Sequence, residues 1–111
     1  MPDLPLELSV TYVSELLASG KAKPRLIDCR EQDEWDICHI EGAELMPLSN
    51  FVEAAGKLTD KDAHLVVYCH HGMRSLRATH WLRQQGFANT QSMSGGIDAW
   101  ADMIEPEMRR Y

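Results

Sequence analysis

Segments that read as strands and segments that read as helices alternate along this chain, and that alternation restricts the fold more than any other feature. The clearest strand is Leu65-Val66-Val67-Tyr68-Cys69, which is apolar throughout, lies between His64 and His70, and has the pattern of a strand buried on both faces. Behind it, Ala78, Trp81 and Leu82 recur at helical spacing from Gly72 to Gln85, and Gly86 supplies the left-handed residue that ends such a helix. Earlier in the chain, residues 8–10 read as a short strand. Thr11 then caps a helix with Val13, Leu16 and Leu17 on one face, Gly20 stops it, and Pro24 marks the loop exit. Residues 25–28 and 44–46 read as strands, separated by a helical turn at 33–37 that carries Trp35. Ser49-Asn50 opens a helix through Phe51, Val52, Ala55 and Leu58, and the chain closes with a strand at 90–93, a Gly95-Gly96 turn and a helix at 97–103. The predicted class is α/β: about five mostly parallel strands with helices on both faces, a three-layer arrangement.

A length of 111 residues leaves room for one core, so a single domain over 1–111 is expected. The apolar runs are far shorter than the ~20 residues needed to cross a bilayer, and Met1-Pro2-Asp3-Leu4-Pro5-Leu6-Glu7 has neither the basic nor the apolar part of a secretory leader. A cytoplasmic, non-membrane protein is the expectation. Net charge of -6 argues against nucleic acid or an anionic membrane as partner. Its distribution is uneven. All 17 acidic residues fall outside 63–97, where an even spread would put about five; that stretch holds Arg74, Arg77, Arg83 and four of the five histidines, so an anion would be tolerated there.

The run Cys69-His70-His71-Gly72-Met73-Arg74-Ser75 lies inside that stretch, between the buried strand and the long helix. In parallel sheets, ligands bind at the carboxyl edge of the strands. There the loop amides and the orphan N–H groups of the following helix converge on the Cys69 sulfur, and they and the helix dipole favour negative charge. The thiol pKa should fall below the ~8.5 of a free cysteine, which makes Cys69 a candidate nucleophile. The alternative is a buried cysteine that serves as a small hydrophobe.

This strand, loop and helix resemble the active-site loop of the rhodanese family of sulfurtransferases, with its Cys-x-x-Gly-x-Arg or Thr pattern. Leu26-Ile27-Asp28-Cys29-Arg30 with Glu34-Trp35 resembles the family's Asp-x-Arg strand and downstream acid, and Cys38-His39-Ile40-Glu41-Gly42-Ala43 its Gly-His-Ile-Pro-Gly-Ala signature. Gly86-Phe87 and Met93-Ser94-Gly95-Gly96-Ile97-Asp98-Ala99-Trp100 resemble its closing motif. In order, these cover roughly residues 8 to 103, the expected core. Cys38 and Glu41 depart from the signature's Gly and Pro and alter a turn. His70-His71 stand where many members carry Arg or Lys; being partly charged at pH 7, they would make attraction for a dianion such as thiosulfate pH-dependent.

The resemblance implies that the Cys69 thiolate takes a sulfur atom from a donor, keeps it as a persulfide in the amide cradle, and passes it to a thiophilic acceptor, with no metal or organic cofactor. His70, His71, Gly72, Met73, Arg74, Ser75 and Arg30 would surround the sulfur. Gly72 lets the backbone curl closely, Arg74 orients the loop or holds the donor's anionic part, Ser75 caps the helix, and Arg30 lines the pocket or braces Asp28. The donor is open: thiosulfate, a low-molecular-weight or protein persulfide, or mercaptopyruvate, with a sulfur-relay protein as a further partner by analogy.

Other residues read more plainly. His39 is expected to make a buried hydrogen bond in its turn, and Trp35, Trp81 and Trp100 to pack the core. Zinc held by Cys38, His39, Cys69, His70 and His71 is disfavoured by the adjacent pairs. Cys29 is either strand packing or a thiol that resolves Cys69. Two rivals remain. Cysteine phosphatases and arsenate reductases of related fold use Cys-x5-Arg to wrap a tetrahedral oxyanion, whereas Cys69 to Arg74 is Cys-x4-Arg; a non-catalytic interaction module would have little need of the cysteine and the glycine-arginine loop.

Overall fold

The computed structural model describes residues 4–20 and 23–111. Met1, Pro2 and Asp3, the start of the stretch read for a leader, lie outside the described residues. Five strands, β1 (Glu7–Leu8), β2 (Arg25–Asp28), β3 (Glu44–Leu45), β4 (Leu65–Tyr68) and β5 (Thr90–Met93), alternate with helices α1 (Val10–Ala18), α2 (Gln32–Ile37), α3 (Phe51–Ala55), α4 (Met73–Gln84) and α5 (Gly96–Met103). The strands form one sheet in the order β1-β5-β4-β2-β3, and every pairing is parallel. This bears out the α/β reading.

β4 is the middle strand and explains the layering. Side chains alternate across a strand, so Leu65 and Val67 join Ile27, Ala78, Leu82, Phe51 and Phe87 on one face of the sheet. Val66 and Tyr68 join Leu26, Met93, Val13, Ile97 and Trp100 on the other. The first face is covered by α3 and α4, the second by α1 and α5. Both faces are buried, which is why β4 reads as an unbroken apolar run. No helix among the described residues is long and apolar enough to cross a membrane.

Several local readings need correction. β1 ends at Leu8, and Ser9, not Thr11, caps α1: its hydroxyl accepts the Tyr12 N–H at 3.2 Å. Val10, read as strand, is the first helical residue and is buried with Val13 one turn on. The α3 helix is shorter than its apolar spacing suggests. A 3-10 turn over Leu48–Asn50 precedes it, and Gly56 closes it by sharing its N–H among three carbonyls, although Leu58 remains buried. His39 is exposed, lying flat on a half-buried Trp35 with ring centroids 3.8 Å apart and Nδ1 3.0 Å from the Trp35 carbonyl. Of the three tryptophans only Trp100 is fully buried; Trp81 is half-buried and meets Phe51 edge-on.

Candidate functional site

β4 ends one residue before Cys69, so the cysteine is the first residue past the carboxyl edge of the central strand. Its chain then turns through His70, His71 and Gly72 into α4. Gly72 has φ of 112°, a left-handed conformation that favours glycine, and it brings its own N–H to 3.0 Å from the Cys69 sulfur. The Ser75 N–H reaches the same sulfur at 3.3 Å, and the Ser75 hydroxyl lies 3.5 Å from it. Ser75 is the third residue of α4 and fully buried, so it does not cap the helix as expected; it lines the sulfur and hydrogen-bonds Ser92 of β5 at 2.8 Å.

The loop is held from behind by α5. Ile97 N–H donates to the Cys69 carbonyl at 2.8 Å and Asp98 N–H to the His70 carbonyl at 3.1 Å. A Cβ on Gly96 would stand 2.4 Å from the His70 oxygen and 2.5 Å from that of Cys69, so the Gly95-Gly96 turn of the closing motif is what lets the helix approach the loop. Ser92 and Gly96 are contributions that no single residue type would have flagged.

Cys29 is the fourth element of the site. β2 and β4 pair with Asp28 opposite Tyr68, so Cys29 and Cys69 follow side by side at the same edge, both buried within one core cluster. Cys29 beside it, with the Ser75 side chain and the Ser75 and Gly72 amides, outweighs burial and pulls the Cys69 thiol down to about 4. Both cysteines are free of disulfides, as is Cys38.

The structure gives the charged residues definite partners, and for Arg30 it is the bracing of Asp28, one of its two readings. Arg74 makes a two-pronged ion pair with Glu34, at 2.6 and 2.8 Å, so its charge is answered by α2. That pairing draws the Glu34 carboxyl down to about 2. Arg30 does not line the pocket. It is fully buried, grips Asp28 at 2.6–3.0 Å, and spends its remaining hydrogens on the Cys38 and Glu34 carbonyls and the Tyr111 hydroxyl. Tyr111, to which nothing in the sequence pointed, also donates to Glu34 at 2.8 Å and stacks on His70 with centroids 4.1 Å apart. His70 is sandwiched between Tyr111 and His71, and burial, then His71, pushes its imidazole below the ordinary range. The share of charged His70 at pH 7 is therefore smaller than an ordinary histidine would carry.

His71 and Met73 are exposed at the rim. Among the described residues, the cluster with metal-binding potential is His70, His71 and Asp98, whose ligand atoms lie within 4.8 Å of one another. Cys38, His39 and Cys69 are not part of it, and Asp98 is already paired with Arg110 at 2.7 Å.

A five-stranded parallel sheet that presents a buried cysteine in an amide cradle at its carboxyl edge defines a class of α/β domain. The chain belongs to the rhodanese-like family: residues 9–103 match the rhodanese-like domain. It is 35% identical over 89 residues to the thiosulfate sulfurtransferase GlpE of Shewanella oneidensis, covering 79% of this chain and 87% of that protein. It is 43% identical over 97 residues to the probable adenylyltransferase/sulfurtransferase MoeZ of Mycobacterium tuberculosis, which takes in 86% of this chain. The chain spans about a quarter of MoeZ's length, 24%. The solved structure of the human single-domain sulfurtransferase TSTD1 superposes with a TM-score of 0.80 at 27% identity, covering 90% of this chain and 98% of that one.

Proposed function

We propose that this protein is a sulfurtransferase that carries sulfane sulfur as a persulfide on Cys69. The observation that carries the reading is the pair of N–H groups, Gly72 at 3.0 Å and Ser75 at 3.3 Å, aimed at one buried sulfur at the head of α4. With thiosulfate as donor, the Cys69 thiolate attacks the outer sulfur, the sulfur–sulfur bond of the donor breaks, and sulfite departs with the bonding pair. Cys69 is left with an anionic terminal sulfur, and the amides and helix N-terminus stabilise that charge. A nucleophilic acceptor then attacks the terminal sulfur and Cys69 leaves as thiolate. Low basicity helps it leave, just as it keeps the attacking form populated. The relatives named thiosulfate sulfurtransferase support this activity, and MoeZ supports a relay role in which donor or acceptor is another protein.

Intact mass after incubation with thiosulfate or an organic persulfide tests the reading. The expected result is a gain of one sulfur atom, located on the peptide that contains Cys69 and removed by cyanide or dithiothreitol. The six-residue loop from Cys69 to Arg74 should crowd a tetrahedral phosphate, so aryl phosphates should not be hydrolysed. Cys69-dependent phosphate hydrolysis without any persulfide would overturn the proposal; a folded protein with neither activity would leave a binding module.

The lowered basicity of His70 yields a second expectation. Its charged form contributes only below the ordinary ~6.5 of histidine. KM for thiosulfate in His70→Ala should therefore stay within about twofold of wild type from about pH 7 to about pH 8, with a difference emerging only in more acid solution. A large effect of the substitution at about pH 8 would show that His70 acts by something other than charge.

A further inference from the structure

The mechanism above uses one of the two cysteines at this sheet edge. Cys29 is completely buried, belongs to the same core cluster as Cys69, and stands beside it because Asp28 pairs with Tyr68. The neighbouring Cys69, and then burial, push the Cys29 thiol above that of an ordinary cysteine. The physical cause is the asymmetry of the two sites. Cys69 accepts two N–H groups at the head of a helix, whereas Cys29 lies next in sequence to the Asp28 carboxylate. The other charge that faces the pair is Arg74 on α4, answered by Glu34 on α2, while Asp28 is answered by Arg30.

We propose that Cys29 is a positioning residue for sulfur transfer: its buried S–H is a further donor to the Cys69 sulfur, reaching it from the end of β2 while the Gly72 and Ser75 amides reach it from the loop and α4. The contact acts at both ends of the cycle. It favours the thiolate that attacks the donor, and it favours the same thiolate when Cys69 departs from its persulfide. No electrons move through Cys29, which keeps its proton throughout. This deepens, and rests on, the reading of Cys69 as the sulfur carrier.

The test is the pH profile of iodoacetamide alkylation of the full chain, followed on the Cys69 peptide by mass spectrometry. Wild type should show its inflection near 4. Cys29→Ala should move it upward by roughly one to two pH units, the usual worth of a hydrogen bond to a charged group. Cys29→Ser keeps a donor and should return most of the shift, which a purely structural role for Cys29 would not produce. Release of sulfur to cyanide should slow about tenfold in Cys29→Ala and less in Cys29→Ser. If the alanine variant loses cooperative unfolding, Cys29→Val fills the strand position without a donor and takes its place. Superimposable profiles in wild type and the donor-free variant, or a serine variant shifted as far as alanine, would overturn the proposal. Alkylation needs no sulfur donor, so a wild type with the low inflection that takes up no sulfur counts against the carrier reading instead.

Discussion

Replacing Cys69 with serine is expected to leave a folded protein that forms no persulfide and transfers no sulfur, a loss on the order of 10³-fold or more. The serine oxygen fits the same cradle and can accept from the Gly72 and Ser75 amides, so little packing is lost. What it lacks is a charge at neutral pH. A group whose pKa is lowered by folding adds stability that is fully present above its unfolded value and is lost as pH falls through the folded one. For Cys69 those limits are about 4 folded and ~8.5 unfolded. Wild type should therefore gain on Cys69→Ser as pH rises between them, and near the lower limit the two should lie within about 1 kcal/mol. Denaturant melts across that range check the linkage, and cyanide-dependent turnover checks the chemistry. Residual turnover in the mutant would move the nucleophile elsewhere.

The second large effect is on stability. Arg30→Leu should destabilise the protein by about 3–5 kcal/mol, because it strands the Asp28 carboxylate, fully buried, without its counter-charge. It also leaves the Cys38 carbonyl and the Tyr111 hydroxyl without the guanidinium. The deficit should appear in urea or thermal unfolding, while the folded fraction keeps its capacity to load sulfur at Cys69, since Arg30 faces Asp28 and not the sulfur. A loss below about 1 kcal/mol would mean that water reaches Asp28 freely.

The two arginines illustrate what could be read from the chain and what could not. β4, its loop and α4 were legible because local rules agree there: an unbroken apolar strand, a glycine where φ must be positive, and a helical period that ends at Gly86. The cradle around Cys69 follows from those rules. Asp28, two positions from Arg30, is one of its two readings, but the partner of Arg74 does not follow, since Glu34 is forty positions away and tertiary packing brings them together. The same holds for Cys29 beside Cys69, which depends on strand register, and for Tyr111, which carries no local signal. Smaller misreadings arose where two residues compete for one role. Ser9 and Thr11 are both good caps, and only the burial of Val10 decides between them. His39 sits in a recognisable signature, yet its ring finds an exposed stack on Trp35 before it finds the core.

The outer strands have a consequence of another kind. β1 and β3 are two residues long, and β3 offers Glu44, clasped by Arg25 at 2.7 Å, at its rim. An incoming chain would find almost no run of free N–H and C=O groups to copy at either border. Among the described residues, self-association by strand addition, the usual hazard of a sheet this apolar, therefore has little edge on which to begin. Whatever meets this protein must do so through side chains and loops, and the carboxyl edge that bears Cys69 is one place where loop backbone is turned to that use.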